Sequence, residues 1–173
     1  MKCLKSSALA VLSAAALFSV AGSANAATGN IIDAYRAALL CKGTGGGSLI
    51  FDAKGNIQNR GTNPVFIDCP LPNLYANVET VTGVVVFGRD NSSKTGDAGA
   101  IRCKVVLGNS VGTTETSAAY SGSTGSGVSV ALDLAMPTPA VGSTQSVRCT
   151  IPVRNTGDAI TTLSTIAVYS TGP

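Results

Sequence analysis

Short runs of apolar and β-branched residues recur along the chain, and polar clusters separate them. Val, Ile, Thr and Tyr dominate the runs, whereas Gly, Asn, Asp, Ser or Pro lie between them. Runs of this length and composition predict β-strands. The predicted strands are residues 48–53, 64–68, 78–87, 100–107, 113–120, 128–134, 146–153 and 162–170.

One stretch favours a helix instead. Asn30 is a suitable N-cap for a short helix from Ile31 towards Leu40, before the glycines of residues 43–47. With about six to eight strands and no helices between them, we predict an all-β antiparallel β-sandwich with a short N-terminal helix. The Gly/Ser-rich residues 120–127 are interpreted as a long hairpin loop, which leaves a single domain over residues 27–173.

The first 26 residues have the pattern of a signal peptide. Lys2 and Lys5 precede an apolar run over residues 8–20, and Ala24-Asn25-Ala26 supplies the small residues read by signal peptidase. The apolar run is too short for a membrane-spanning helix, which needs about 20 residues. We therefore expect cleavage near Ala26, no transmembrane anchor, and a secreted or periplasmic protein.

Charge argues against one class of partner. The chain has 12 basic and 9 acidic residues, and removal of Lys2 and Lys5 brings the two signs close to balance. The basic residues are scattered singly along the chain, whereas nucleic-acid and anionic-membrane surfaces need them clustered. We therefore predict no nucleic-acid partner, and leave an envelope protein, a glycan or self-association open.

Four cysteines follow the leader: Cys41, Cys69, Cys103 and Cys149. An even number in an exported chain predicts two disulfides. Three pairings are possible, and Cys41 with Cys69 and Cys103 with Cys149 is favoured because each pair closes a modest loop. A metal site is disfavoured because the cysteines are not closely paired in sequence.

Several segments around these cysteines are similar to segments of known proteins. They read VFIDCPLP at residues 65–72, FGRD at 87–90, IRCKV at 101–105 and CTIP at 149–152. Together they resemble small exported bacterial proteins of uncharacterised function. The resemblance implies a two-disulfide β-sandwich; it implies no activity and no site residues.

The chain contains no histidine. This excludes Ser-His-Asp and Cys-His catalysis and histidine-based metal sites. A serine and a lysine are adjacent at Ser93 and Lys94, but the pair is interpreted as part of a polar loop. The sequence therefore predicts no catalytic residue and no cofactor.

Paired carboxylates are the remaining hydrolytic option. Glu79, Glu115 and Asp133 lie on or beside predicted strands. A glycosidase mechanism needs two such acids facing each other at about 5 to 9 Å. The favoured interpretation is that all three lie on solvated strand faces, and a carboxylate-dependent secreted hydrolase is the alternative.

Two further sets of residues are ligand candidates. Asp90, Asn91 and Asp97 offer oxygens that suit calcium, although a β-hairpin turn is the favoured interpretation of their loop. Tyr75 and Tyr120 are candidates for carbohydrate binding. The glycine-rich residues 42–48 lack the Gly-Lys-Ser/Thr of a phosphate-binding loop and are interpreted as a flexible turn.

These observations together predict an exported non-enzymatic protein. Its role is binding or structural, in the cell envelope or the extracellular space. A homopolymeric surface subunit is a second alternative beside the hydrolase, because low charge does little to resist association. The sequence identifies neither ligand nor partner.

Overall fold

The chain folds almost entirely into β-strands. The computed structural model describes residues 30–71, 81–93, 99–109, 112–115, 119–120, 127–136 and 144–170. These ranges contain one short helix, α1, at Ala37–Leu40. Their strands are β1 (Asn30–Arg36), β2 (Lys42–Gly46), β3 (Leu49–Phe51), β4 (Ile57–Asn59), β5 (Val65–Pro70), β6 (Gly83–Asp90), β7 (Arg102–Asn109), β8 (Gly112–Glu115), β9 (Ala119–Tyr120), β10 (Val128–Ala135), β11 (Thr144–Ile151) and β12 (Thr162–Ser170).

The strands form two antiparallel sheets. Sheet A has the order β10-β6-β12-β4-β3, with β1 also paired to β12, and sheet B has the order β2-β5-β11-β7-β8, with β9 also paired to β7. Buried side chains from both sheets pack into one hydrophobic core. The prediction of an antiparallel β-sandwich is confirmed. The described strands outnumber the expected six to eight because β1, β2 and β4 lie outside the predicted runs, and the predicted run 113–120 contains two short strands, β8 and β9.

Strand alternation gives sheet B one buried and one outward face. In β11, Gln145, Val147, Cys149 and Ile151 are buried, and the residues between them are not. Neighbouring β5 alternates in the same way. Because successive side chains of a strand point to opposite faces, the second set lies on the outer face of sheet B.

Both disulfides lie within sheet B. Cys103 of β7 is directly opposite Cys149 of β11, with a Cα–Cα distance of 4.1 Å. Cys41 immediately precedes β2 and is bonded to Cys69 of β5, at 3.9 Å. These are the two pairs that loop length favours. Each disulfide therefore ties two neighbouring strands of one sheet and does not join the two layers.

The expected helix from Ile31 towards Leu40 is wrong in extent. Residues Asn30–Arg36 form β1, which pairs with β12, and only Ala37–Leu40 are helical. The apolar residues of this stretch do not follow a helical stripe, so packing does not favour a longer helix. The edge of β12 supplies hydrogen-bond partners that the local sequence does not reveal.

The glycine-rich segment is a strand and not a flexible turn. Residues Lys42–Gly46 form β2 and pair with β5, with an irregularity between Gly43 and Gly45. Gly46 has a φ of 95°, and a Cβ there would lie 2.1 Å from the carbonyl oxygen of Pro64. Glycine is therefore required at this position because the two backbones approach so closely.

Two predicted hairpins are connections between the sheets. The loop after Asp90 joins β6 of sheet A to β7 of sheet B, and the Gly/Ser-rich residues join β9 of sheet B to β10 of sheet A. A polar loop composition does not distinguish these two kinds of connection. Residues 1–26 lie outside the described ranges, so the signal peptide stays a prediction. No helix in the described ranges is long and apolar enough to cross a membrane.

Candidate functional site

The calcium candidates at the end of β6 are bonded to the backbone. The Asp90 carboxylate accepts hydrogen bonds from the amides of Ser92, at 3.0 Å, and Ile101, at 3.3 Å. Asp90 and Asn91 are both buried. Asp97 lies outside the described residues. The Asp90 carboxylate therefore fastens both ends of the connection between the sheets.

The two residues after Asp90 hold β6 against the segment that precedes β12. The Asn91 amide donates to Thr161 Oγ1 at 3.0 Å, and Asn91 Nδ2 donates to the carbonyl oxygen of Ile160 at 2.6 Å. Ser92 Oγ donates to the carbonyl oxygen of Val153 at 3.3 Å. These bonds satisfy polar groups that burial would otherwise leave without partners.

A second carboxylate completes this network. Asp158 Oδ2 accepts hydrogen bonds from the amides of Ser93, at 2.9 Å, and Asn155, at 3.1 Å. Hydrogen bonds from Ser93 and then Asn155, with the nearby Arg154 charge, hold the pKa of Asp158 below its usual value. Ser93 Oγ accepts a hydrogen bond from Asn155 Nδ2 at 2.8 Å, so this candidate hydroxyl is part of the network. Its sequence neighbour Lys94 lies outside the described residues.

The described part of the loop does not form a metal centre. Among the described residues, no group of three or more Cys, Asp or Glu side chains is placed to hold a metal ion. The calcium site depends on Asp97 and stays a prediction.

The candidate acid Asp133 also has a structural partner. Tyr169 donates its hydroxyl to Asp133 Oδ1 at 2.6 Å. Burial, followed by the hydrogen bond and charge of Asp133, raises the pKa of Tyr169 to about 12. Glu115 lies on β8 of sheet B, whereas Asp133 lies on β10 of sheet A. Glu79 is outside the described residues.

The two tyrosines proposed for carbohydrate binding are only partly located. Tyr75 lies outside the described residues, and the backbone of Tyr120 pairs with Arg102 at the edge of sheet B. A third tyrosine, Tyr35, donates to Asp33. That hydrogen bond, with burial and the Asp33 charge, raises the pKa of Tyr35 to about 12.

The outer face of sheet B gathers charged residues that are distant in sequence. Each disulfide cysteine has at least one charged neighbour along the chain. Because the four cysteines face the core, those neighbours face outward. We call the resulting surface the sheet-B face, and its members are Lys42, Phe66, Asp68, Arg102, Lys104, Arg148 and Thr150.

Strand register arranges these side chains in two rows. Lys42 pairs with Asp68, Asp68 with Arg148, and Arg148 with Lys104. Adjacent strands are about 4.8 Å apart, so this first row extends roughly 14 Å across the sheet. The second row contains Phe66, Thr150 and Arg102, in that order.

The middle of the sheet-B face combines an ion pair with an exposed aromatic ring. Arg148 Nε lies 3.8 Å from Asp68 Oδ1, and the two side chains are 43% and 22% exposed. Phe66 is 40% exposed. It lies diagonally across from Arg148, within reach of a long side chain. The ring is therefore available to a ligand and is bordered by hydrogen-bonding groups.

The sheet-B face carries a local excess of basic side chains that the near-neutral charge of the chain after residue 26 does not reveal. The sheet-B face holds four basic side chains and one acidic side chain among its described members. After residue 26, the rest of the chain has six basic and eight acidic residues. Four of the ten basic residues after residue 26 come from segments that are distant in sequence but lie together on this face. The charge beside every cysteine was the sequence signal for this surface.

Sequence comparisons give no relatives, and solved structures give distant likenesses. No family model matches the chain, and no curated protein matches it. A point variant of a family 29 carbohydrate-binding module has 14% identity and a TM-score of 0.36, covering 76% of this chain and 81% of its own. Another family 29 carbohydrate-binding module has 12% identity and a TM-score of 0.39, with coverages of 79% and 90%. The xylan-binding module CBM15 has 13% identity and a TM-score of 0.40, with coverages of 82% and 93%.

Proposed function

We propose that the protein is an exported, non-enzymatic binding protein whose ligand is a polysaccharide and whose binding surface is the sheet-B face. The observation that carries the proposal is the half-exposed ring of Phe66 among charged and hydroxyl side chains. A sugar ring has an apolar C–H face that packs on an aromatic ring, and its hydroxyls bond to the polar groups around that ring.

Export and the lack of catalysis have separate support. Two disulfides persist in an oxidising compartment, which agrees with the predicted leader. The absence of histidine removes the commonest general base. The candidate acid Asp133 accepts a hydrogen bond from Tyr169, so a structural role accounts for its position.

Phe66→Ala tests the assignment, and Phe51→Ala is its matched control. Phe51 is 48% exposed, but it lies on β3 of sheet A. Burying a whole phenylalanine side chain contributes about 1.5–3 kcal/mol, so covering the exposed 40% of Phe66 corresponds to a roughly three- to eightfold gain in affinity.

Titration calorimetry of the secreted protein against soluble polysaccharides measures this gain. Phe66→Ala should weaken binding by that factor, and Phe51→Ala should leave it unchanged. Equal affinities for the two variants would refute the assignment of the surface. Release of reducing sugar by the protein, abolished in Asp133→Asn, would refute the non-enzymatic role.

A further inference from the structure

The charge of the sheet-B face narrows the class of ligand, and we infer that the ligand is an acidic polysaccharide that carries carboxylate groups. This inference rests on the proposed function, because it concerns the same surface. It adds that positive charge, and not only the aromatic ring, selects the ligand.

Three cations lie close together on one side of the face. Arg102 and Lys104 are two residues apart on β7 and share its outer face, and Arg148 is directly opposite Lys104 on β11. Arg148 is also paired with Asp68, so these four side chains together carry a net positive charge. An anionic ligand bound beside them is attracted to that charge, so the arrangement favours a negatively charged ligand.

The chemistry of the cations fits carboxylates. An arginine guanidinium presents a planar fork of N–H donors that matches a carboxylate in two parallel hydrogen bonds. Arg102 is exposed, and Arg148 is nearly half exposed and held beside Asp68. Thr150 lies between Arg102 and Phe66 in the second row and adds a hydroxyl for neutral parts of the sugar.

The face fits an acidic glycan better than a nucleic acid. Asp68 lies between Lys42 and Arg148 in the first row, where it would repel a continuous line of phosphates. Nucleic-acid surfaces bind by neutralising many phosphates and have a single sign of charge. A uronic-acid polymer has carboxylates separated by neutral hydroxyls, which suits a surface of mixed sign.

The test compares polygalacturonate with the neutral polymer glucomannan and with double-stranded DNA, by titration calorimetry at several salt concentrations. The variant Lys42→Gln/Arg102→Gln removes two charges from the face. The control variant Lys54→Gln/Arg60→Gln removes the same charge from exposed positions outside the face. We expect polygalacturonate to bind most tightly, with an affinity that falls as salt rises.

The face variant should lose roughly tenfold in affinity for polygalacturonate, the effect of two exposed ion pairs, whereas the control should stay within about twofold. Equal losses in both variants would overturn the inference. So would DNA binding as tight as polygalacturonate binding. Tight glucomannan binding without a preference for polygalacturonate would overturn the inference but keep the proposed function. Binding to neither polysaccharide would refute both.

Discussion

Replacing Gly83 with alanine will displace the ring of Tyr169. A Cβ on Gly83 would lie 2.3 Å from Cζ and Oη of Tyr169, closer than any stable contact. The ring, which leaves the residue only 7% exposed, covers this glycine and reaches Asp133 on the far strand. Because a tyrosine side chain can rotate, we expect the ring to move into solvent and the backbone to stay in place.

The cost follows from what the ring loses. Exposing a buried aromatic side chain costs about 1.5–3 kcal/mol. Losing the hydrogen bond to Asp133 adds about 1 kcal/mol, and alanine in a strand recovers about 0.5–1 kcal/mol relative to glycine. Gly83→Ala should therefore destabilise the protein by about 1.5–3.5 kcal/mol. At about 2–4 °C per kcal/mol, Tm should fall by roughly 3–14 °C.

A double-mutant cycle in urea, followed by circular dichroism, isolates the contact. In a Tyr169→Ala background the clash is gone, so adding Gly83→Ala should be neutral or stabilising by up to about 1 kcal/mol. Tyr169→Phe retains the ring and should lose only the hydrogen bond, about 1 kcal/mol. If Gly83→Ala costs the same with and without the tyrosine, the ring is not the cause and the reasoning fails.

Four further variants test the rest of the fold. Replacing the β7–β11 disulfide with two serines should lower the free energy of unfolding by about 4 kcal/mol, and replacing the β2–β5 disulfide in the same way should lower it by about 3.6 kcal/mol. The first loss is larger because that disulfide closes the longer loop. The reverse order in urea unfolding would contradict this reasoning. Asp158 has a lowered pKa, so its stabilisation is present above about pH 4 and is lost as pH falls through the lowered value. Asp158→Asn should thus unfold more easily at pH 7 and show a weaker acid dependence, and an unchanged acid limb would argue against the network. The Asn59 side chain is hydrogen-bonded to four backbone groups, and the residue is 1% exposed, so Asn59→Ala should cost about 1–3 kcal/mol. A loss below about 0.5 kcal/mol in the same titration would show that water replaces the amide.

The local pattern of apolar and polar residues predicted the bounds of two long strands, β12 and β10, to within one residue. Residues Thr162–Ser170 form β12 with the predicted bounds, and Val128–Ala135 exceeds its prediction by one residue. Both runs are rich in β-branched or aliphatic residues and are bounded by polar residues, so propensity and burial favour the same structure. The disulfide pairs favoured by loop length are those present in the structure.

Features that depend on distant residues were not predictable in this way. Glycine-rich β2 exists because β5 offers an edge, and β1 exists because β12 does. Whether the loop after Asp90 turns back or crosses to the other sheet depends on strand order, which loop composition does not encode. The sheet-B face requires the register of four strands, although the charges beside the cysteines were visible in the sequence.

The pairing of β1 with β12 determines how the molecule responds to tension. Asn30 lies opposite Ser170, so the two ends of this strand pair emerge at the same corner of sheet A. A force that pulls these two ends apart breaks the β1–β12 hydrogen bonds one residue pair at a time, beginning at Asn30 and Ser170. Beyond β1 the chain passes through α1 to Cys41, whose disulfide to Cys69 fixes it to β5 of sheet B. Unpeeling of β1 therefore ends at this covalent bond, and the force is then carried by sheet B.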